Sequence, residues 1–403
     1  MHDQVRVGLI GTGKRGLLYT RLLAAEPKAR LAAVLDLDAE RAQWVASRHG
    51  TGVRVARDLA ELLAECDAVV IATPDNSHAE LAVAALNSGR PTLCDKPPGI
   101  SIDEINRVSS ALRDAAATPF TLAMVLRYHP LYQALLEILP AHGAVSQVKV
   151  ADLMNGQFYF RRWHRHRSYT GGIVLHEGIH SLDILGWMLG HEPDTVVGLS
   201  SPSQLLPRPD ATELCRDCVL APDCEHYFDV RSDPLRELYR TPRQQEGEPR
   251  DVCVFNSVRE IDEVHDVVLG YTGRLQVSYS LNLVAPVRTR QFTFVCEDAV
   301  ISTDEAAATI TVVTADGRAK RDIEVPKAEY GGGDSGHIAD FMRMVLDGNR
   351  DDTTLDSNFG AAVTALAAER SIRDRIPVRV AGGMKGGFQL CTDVVPHALD
   401  DHE

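Results

Sequence analysis

The sequence lacks an excess of basic residues, and it lacks any apolar run long enough to span a membrane. Among its 403 residues, 42 Lys and Arg stand against 56 Asp and Glu, which gives a formal net charge of −14. Because nucleic acids and anionic membranes are bound through basic patches, this balance argues against both as partners. The basic cluster at 161–167 is too isolated to change that conclusion. The first residues are polar and leave no room for a signal peptide, so we expect a cytoplasmic protein.

Aromatic residues are few, at 6% of the chain, whereas apolar residues make up 44% and charged residues 24%. These values are typical of a globular protein, and the length predicts two or three domains that each bury a core. The chain also contains eight cysteines. In a cytoplasmic protein, cysteines are thiols or metal ligands more often than they are disulfides.

A glycine-rich stretch near the start, VRVGLIGTGKRG over 5–16, turns an apolar strand into a helix. Gly11 permits a tight turn, Gly13 lets the backbone approach a pyrophosphate, and Gly16 lets the helix pack closely on the strand. The helix start would then face the anion with its N–H groups. We therefore predict a dinucleotide pocket that includes every residue of the turn, namely Gly11, Thr12, Gly13, Lys14, Arg15 and Gly16.

An acidic residue, Asp36, ends the second apolar run, at the distance from Gly16 that dinucleotide-binding folds require. A carboxylate at this position accepts hydrogen bonds from the adenosine ribose and repels a 2′-phosphate, so NAD is favoured over NADP. The alternative is a solvated aspartate at a strand end. Arg41 lies close enough in sequence to keep NADP open as the cofactor.

Strand and helix patterns alternate over 1–124, which is typical of a doubly wound parallel sheet and predicts a Rossmann domain. The candidate strands are 5–10, 31–36, 53–55, 68–73, 91–94 and 119–124. Ligands bind such sheets beyond the carboxyl ends of the strands. We therefore expect further cofactor contacts from residues that follow the fourth and fifth strands, namely Thr73, Pro74, His78 and Lys96.

Lys96 lies between the fifth of these strands and the proline pair Pro97 and Pro98. Most lysines are solvated surface residues, and that is the alternative here. A lysine beside a nicotinamide loses solvation and can exchange protons, and the prolines fix the backbone around it. We therefore predict a functional role for Lys96.

Beyond residue 124 the pattern becomes that of an α/β domain with a largely antiparallel open sheet, which we place at 125–380. Its strand-like runs are 145–153, 265–270, 274–284, 290–296 and 308–314. An insertion rich in proline and charge interrupts this domain at about 201–255. Residues 381–403 show no clear period and are expected to form a tail.

A helix predicted over 173–189 carries three polar residues at helical spacing, His176, His180 and Asp183. This spacing places all three on one face of the helix. For a lone histidine, the ordinary interpretation is a core residue with satisfied hydrogen bonds, and that alternative applies to His180.

Four motifs, GTGKRG, ATPDNSH, CDKPP and GGIVLHEGIHSLDILGWMLG, occur in the order and spacing of the Gfo/Idh/MocA oxidoreductases. The chain resembles this family, which includes glucose-fructose oxidoreductase and inositol dehydrogenase, over nearly its whole length. The resemblance implies a Rossmann domain joined to an α/β domain whose open sheet faces the nicotinamide and mediates oligomer contacts. A homo-oligomer, either a dimer or a tetramer, is therefore expected.

The resemblance also implies which side chains take part in catalysis. A family Glu-Lys-Pro motif supplies the active-site lysine, and Lys96 matches it with Asp95 in place of glutamate. In the family's Asp-x-x-x-His motif, His180 matches the histidine, but His176 occupies the aspartate position. A neutral imidazole does not replace a carboxylate, so the substrate or the proton path is expected to differ. The catalytic candidates are Lys96, His180 and His176.

The leading hypothesis is hydride transfer between NAD and a secondary alcohol of a sugar, cyclitol or related polyol. His180 would act as the base, Lys96 would polarise the same oxygen, and Asp183 would orient His180 or serve the structure. Donors and flat rings that suit a polyol are offered by Arg127, Tyr128, Trp163, His164, Tyr169 and Asp183. Two alternatives remain: transient oxidation by bound NAD in a non-redox reaction such as glycoside cleavage, and a non-catalytic NAD-binding sensor.

Cysteines in the insertion predict a possible structural zinc site. Cys215 and Cys218 have ordinary metal-ligand spacing, and Cys224 with Cys253 would complete a four-thiolate set. His226 is a rival for the fourth position. Zinc would explain how a charged, proline-rich segment holds its shape, whereas free thiols packed under a loop are the alternative.

Overall fold

The structure is a computed structural model that describes residues 4–49, 52–236, 238–239, 249–273, 275–315, 317, 319–328 and 333–392. It contains two sheets, one of six strands and one of ten. Within the described ranges, no helix combines the length and the apolar content that crossing a lipid bilayer requires.

The N-terminal sheet consists of six parallel strands, β1 Val5–Ile10, β2 Ala29–Leu35, β3 Arg54–Val55, β4 Ala68–Ile71, β5 Thr92–Cys94 and β6 Phe120–Leu122. Their order across the sheet is β3-β2-β1-β4-β5-β6. The connecting helices are α1 Lys14–Ala25, α2 Ala39–Ala46, α3 Leu59–Glu65, α4 His78–Asn87 and α5 Ile102–Asp114. The strand order reverses between β1 and β4, and ligands of such sheets bind at that point.

Local sequence explains these elements. Every residue of β4 is buried, as expected for a parallel strand covered by helices on both faces. Helices α2, α3 and α5 begin after Asp38, Asp58 and Ser101, whose side chains each accept a hydrogen bond from the first turn. Helix α1 differs, because Gly13 precedes it and offers no side-chain cap.

The second sheet is mixed and mostly antiparallel. Its strands are β7 Val145–Asn155, β8 Thr195–Ser201, β9 Val264–Gly270, β10 Gln276–Asn282, β11 Val284–Cys296, β12 Ala299–Asp304, β13 Thr309–Thr314, β14 Lys320–Glu324, β15 Val378–Gly383 and β16 Gly387–Cys391. Their order is β14-β13-β12-β11-β7-β10-β9-β8-β15-β16, and only β7 and β10 pair in parallel. The predicted fold class is confirmed.

Five further helices follow β6 in the described part of the chain, α6 Pro130–Ile138, α7 Arg167–Thr170, α8 Ile179–Leu189, α9 Asp334–Asp347 and α10 Asp352–Asp374. Helix α9 packs on the first domain, because it contacts α1 and its Ile338, Phe341 and Met342 belong to the same apolar cluster as β1. Helix α10 packs against α8 and β8. A Cβ on Gly198 of β8 would lie 3.1 Å from the backbone oxygen of Ala368, so strand and helix approach as closely as their backbones permit.

Two local predictions differ from the structure. The helix predicted over 173–189 begins with a π-helical turn, Val174–Gly178, which precedes the regular helix α8. The segment 381–403, expected to be a tail, instead contributes part of β15 and all of β16 to the sheet edge, and its residues 393–403 lie outside the described ranges. Its glycines hide the alternating pattern of a strand. The domain boundaries themselves stay a prediction.

The C-terminal hairpin of β15 and β16 is bonded to the N-terminal domain. The side-chain amide of Asn106 in α5 donates to the Phe388 oxygen at 2.9 Å, and its oxygen accepts from the Phe388 N–H at 2.8 Å. Ser109 and Arg113 both donate to the backbone oxygen of Met384, the former at 3.0 Å. Helix α5 therefore joins the first domain to the end of the chain.

Candidate active site

The turn between β1 and α1 has the geometry that the glycine motif predicts. Gly11 has a φ of 90°, and a Cβ on it would lie 2.5 Å from the Ala72 oxygen. A Cβ on Gly16 would lie 2.0 Å from the Gly11 oxygen. Any other residue at these two positions would clash with backbone, so the turn requires glycine.

Asp36 lies beside this turn, as the sequence predicts. Its Oδ2 accepts hydrogen bonds from the N–H and the hydroxyl of Thr12, both at 2.7 Å, and its Oδ1 accepts from the Asp38 N–H at 2.8 Å. The N-terminus of α1 and an acidic residue at the end of β2 therefore lie together. This donor and acceptor set fits the pyrophosphate and ribose of a dinucleotide.

Arg15 joins the turn to the loop after β5. Its guanidinium pairs with Asp95 and with Asp334, in each case at 2.9 Å. Burial opposes the charge of Asp95, but Arg15 and then Lys96 hold the pKa of this carboxyl below its ordinary value. Arg15 therefore fixes the turn relative to the loop after β5 and to Asp334, and its predicted contact with the cofactor stays a prediction.

His78 connects the loops after β4 and β5. Its Nδ1 lies 2.7 Å from the Pro97 oxygen, and its Nε2 lies 2.9 Å from the Thr73 oxygen. The ring is buried, with 1% exposure. This placement favours a structural role for His78 over the predicted cofactor contact, while Thr73 and Pro74 lie on the loop itself, at the carboxyl end of β4.

Two groups from the first domain meet His176 of the second. The Lys96 ammonium donates a hydrogen bond to the His176 backbone oxygen. The Asp75 carboxylate contacts the other end of the residue, with Oδ2 2.6 Å from the ring Nδ1. His176 belongs to the π-helical turn, a feature that often marks functional sites. A carboxylate from the loop after β4 therefore lies within hydrogen-bond distance of His176, which precedes α8.

Aromatic and histidine rings gather around His176. Trp163 and His164 stack with ring centroids 4.0 Å apart, and His164 meets His176 edge-on at 4.9 Å. Tyr159 lies 5.7 Å from His176, and Tyr169 lies 6.2 Å from Trp163. Burial, and then the neighbouring His176, lower the pKa of His164 well below its ordinary value. Three residues predicted to bind substrate, Trp163, His164 and Tyr169, therefore lie together beside a catalytic candidate.

His180 lies on the first turn of α8, next to this cluster. Its ring is half-buried, and its Nδ1 is buried with no hydrogen-bond partner in the described part of the chain. Burial and then the charge of Lys96 lower the pKa of His180 well below its ordinary value. The imidazole is therefore neutral near pH 7 and has an unsatisfied nitrogen, which suits a proton acceptor.

A buried acidic network supports the same turn. The Tyr159 hydroxyl donates to Glu177 Oε2 at 2.7 Å, and Arg290 lies 3.6 Å from the other oxygen of Glu177. Arg290 also pairs with Asp152 at 3.0 Å. Although burial opposes the charge, neighbouring donors and cations hold the pKa of Glu177 below its ordinary value. The network fixes the helix turn between His176 and His180.

Three predicted substrate contacts lie elsewhere. Arg127 and Asp183 form a buried ion pair with bonds of 2.6 and 2.8 Å, and Asn358 also donates to Asp183. The Tyr128 hydroxyl donates to Asp340 at 2.6 Å. These partners favour structural roles over the predicted substrate contacts. Asp183 was expected to orient His180, but its hydrogen bonds in the described part of the chain are to Arg127 and Asn358.

The predicted zinc site is not supported. Four cysteines, Cys215, Cys218, Cys224 and Cys253, line one pocket together with His226. Among the residues with described positions, however, no three His, Cys, Asp or Glu side chains are grouped so that they could hold a metal ion. Other contacts shape the insertion: Cys215 and Cys253 bond through their backbones to Asp251 and Glu213, and the side chain of Cys253 joins the main apolar core. The cysteines are free thiols.

Sequence reasoning missed the residues whose roles depend on distant partners. Asp75 stands inside the ATPDNSH motif, but its bond to His176 crosses 101 positions of the chain. Glu177 lies in the motif helix and carries no signal beyond its charge. Tyr239, in the insertion, meets the N–H of Lys14 from 225 positions away. Only the fold brings these pairs together.

Comparisons with known proteins identify the family to which this fold belongs. Residues 5–121 match the oxidoreductase family with an NAD-binding Rossmann fold, and residues 141–222 match the C-terminal alpha/beta domain of the same family. Fold and site therefore define an NAD-binding oxidoreductase. The chain belongs to the Gfo/Idh/MocA family of oxidoreductases, as its motifs predict.

Individual relatives are distant. The chain is 25% identical to YteT of Bacillus subtilis, described as an oxidoreductase, over 361 residues that cover 80% of this chain and 82% of YteT. It is 30% identical to inositol 2-dehydrogenase 2 of Saccharopolyspora erythraea over 253 residues, 58% of this chain and 71% of that protein. An oxidoreductase from Agrobacterium radiobacter, solved with NAD+, L-tartaric acid and magnesium, shares the fold with a TM-score of 0.69 at 17% identity, covering 94% and 98% of the two chains.

Cofactor preference is expected to depend on Asp36. Asp36→Ser removes an acceptor for the ribose and a charge that repels a 2′-phosphate, so the Kd for NAD should rise about tenfold and the Kd for NADP should fall. Titration calorimetry with both dinucleotides measures this. Asp58→Ser is the matched control, because it makes the same change at an exposed aspartate that caps α3, and it should leave both affinities unchanged. Equal NAD affinity in the Asp36 variant and the wild type would contradict the assignment.

Proposed function

We propose that this protein is an NAD-dependent dehydrogenase that oxidises a secondary alcohol of a polyol, sugar or cyclitol. The observation that supports it most directly is the contact of Lys96, which follows β5, with the backbone of His176, one helical turn before His180. Ligands of this fold bind beyond the carboxyl ends of the parallel strands. The name of the Saccharopolyspora relative, an inositol 2-dehydrogenase, agrees with a cyclitol or similar substrate.

The proposed chemistry needs a hydride acceptor and a proton acceptor. When bound, NAD supplies the hydride acceptor, held by the glycine turn and Asp36. The neutral imidazole of His180 takes the proton of the alcohol as the carbon loses its hydride, so the products are a ketone and a protonated imidazole. The Lys96 ammonium polarises the same oxygen and favours its negative charge during the step. Trp163 offers a flat apolar face to a sugar ring.

We propose that Asp75 orients the His176 ring. A carboxylate at 2.6 Å from Nδ1 holds an imidazole in one orientation, as the aspartate does in hydrolase triads. Asp75 is buried, with 3% exposure, so solvent screens this interaction little. The oriented His176 would then take part in the proton path beside His180.

The function is tested by a panel of sugars and cyclitols with NAD and with NADP, followed at the nicotinamide absorbance. Net reduction of NAD by one of these polyols is the expected result. Substrate consumption without net reduction would instead favour transient oxidation in a non-redox reaction. Dinucleotide binding without any turnover would favour a sensor.

We further propose that the protein forms a homo-oligomer through the open sheet face. Val197 and Val268 are paired across β8 and β9 and are 39% and 52% exposed, and Leu199 is 68% exposed. Exposed apolar patches on a sheet face are typical of subunit interfaces, and a second copy of this chain is the proposed occupant. Light scattering should give two or four times the mass of the chain, and a monomer would refute the proposal. The cytoplasmic location stays a prediction.

Removing either proton-handling group is expected to slow the reaction. Lys96→Met and His180→Gln should each lower kcat about a hundredfold and leave NAD binding measurable, because both act on proton transfer. Steady-state kinetics and calorimetry measure the two quantities. The controls are Lys149→Met and His142→Gln, which make the same changes far from the site. Normal turnover in Lys96→Met or His180→Gln would rule out that residue's role.

The pair of Asp75 and His176 is expected to act as a unit. Asp75→Asn keeps an acceptor for the imidazole but removes the charge, so kcat should fall about tenfold while NAD still binds. His176→Gln should slow the enzyme at least as much. The double variant should then be no slower than His176→Gln alone, because one interaction can be lost only once. Strictly multiplicative effects on kcat would show that the two side chains act independently.

A further inference from the structure

The insertion contacts the first domain, close to the dinucleotide-binding turn, through Leu235, Leu238 and Tyr239. Leu238 is buried, with 4% exposure, in the apolar cluster that also contains Val7 and Leu9 of β1, and Leu235 packs on the same cluster. The segment is stabilised locally, since Asp233 accepts from the Leu235 N–H at 2.9 Å. The insertion is thus part of the first domain's core at this point.

Tyr239 extends from this segment onto the first residue of α1. The N–H of Lys14 donates to the Tyr239 hydroxyl at 3.1 Å, and a guanidinium nitrogen of Arg162 donates to it at 3.2 Å. A Cβ on Gly13 would lie 3.4 Å from the same hydroxyl. The hydroxyl therefore lies where a Rossmann fold presents its backbone to a pyrophosphate.

Cationic groups surround the ring. The guanidinium carbons of Arg41, Arg162 and Arg250 lie 5.0, 5.1 and 4.3 Å from the centroid of Tyr239. Arg250 also pairs with Asp233 at 2.6 Å, which ties it to the same segment of the insertion. The ring faces attract these cations. Asp38, at 3.3 Å from Arg41, and Asp233 balance two of the three charges, so the positive charge beside the turn comes mainly from Arg162, which donates to the hydroxyl. A negatively charged ligand is favoured there.

The hydrogen-bond capacity of the hydroxyl points to the nature of that ligand. A tyrosine hydroxyl has one O–H to donate and two lone pairs that accept. Lys14 and Arg162 use the lone pairs, and no acceptor for the O–H lies within the described residues. A phosphate oxygen is an acceptor and carries the charge that the surrounding arginines favour.

We propose that Tyr239 is a cofactor-binding residue that donates its O–H to the pyrophosphate of the bound dinucleotide, so that the insertion forms part of the NAD site. The inference rests on the cofactor of the proposed function but not on its substrate. It also gives the insertion a task that does not require a metal. The opposite possibility, in which Tyr239 blocks the turn and is displaced by NAD, predicts the reverse change in affinity.

The test compares dinucleotide binding by the wild type and Tyr239→Phe, which keeps the ring among the arginines and removes only the O–H. The Kd for NAD and for ADP-ribose should both rise about tenfold, because each ligand carries the pyrophosphate. The Kd for adenosine, which has no phosphate, should stay unchanged. Calorimetry measures all three, and an unchanged unfolding temperature shows that the variant is folded.

The matched control is Tyr227→Phe, which removes a hydroxyl from a 39%-exposed tyrosine of the same insertion beside the cysteine pocket. It should leave all three affinities unchanged. Unchanged or tighter NAD binding by Tyr239→Phe would overturn the proposal, and tighter binding would show that the tyrosine blocks the turn. If the wild type binds no dinucleotide, the proposed cofactor and this proposal both fail. If it binds NAD but oxidises no polyol, only the proposed substrate fails, and the binding comparison still decides.

Discussion

The turn after β1 depends on one backbone contact, because the carbonyl oxygen of Gly11 lies where a side chain at position 16 would begin. Only glycine at position 16 lets helix α1 start so close to the strand. The groups that meet the turn then follow from its position. Asp36 accepts a hydrogen bond from the Thr12 N–H of the turn, and Arg15 of the turn forms an ion pair with Asp95. The Tyr239 hydroxyl accepts from the N–H of Lys14, the first residue of α1. Cofactor binding, loop positioning and the placement of the insertion thus share a single steric requirement.

The proposed catalytic groups come from both domains, and this division bears on a departure from the family motif. Lys96 and Asp75 stand on loops of the parallel sheet, whereas His176 and His180 stand on the helix that covers the mixed sheet. The motif helix lacks its usual carboxylate, yet a carboxylate still lies within hydrogen-bond distance of the same position. A carboxylate is therefore present at this site, although it comes from the loop after β4 and not from the motif helix. Any shift of one domain against the other would separate the ammonium from its acceptor.

Most of the fold was predictable because its signals are local. The glycine turn, the acid at the end of β2 and the lysine after β5 each follow from a strand pattern and a spacing. Roles that depend on distant partners were not predictable. Arg127 and Asp183 are polar residues near the motifs, and only their mutual burial identifies them as a structural pair. In the insertion, the cysteines led to the prediction of a zinc site. Its contact with the turn after β1 is instead made by Tyr239, which belongs to no recognisable motif. The C-terminal strands were missed because glycines interrupt their alternation.

The hairpin at the end of the chain has a consequence for how the protein is made. Helix α5 emerges early in synthesis, but Asn106 finds both of its hydrogen-bond partners on Phe388, which is 282 residues later. Until the last strands leave the ribosome, that face of the helix has no protein partner for these groups, and the wide sheet lacks an edge. The N-terminal domain can fold first, as domains generally do during translation. Its docking to the rest must wait for nearly the whole chain, so a ribosome that stops before β16 releases a protein whose two halves are not yet joined at this contact.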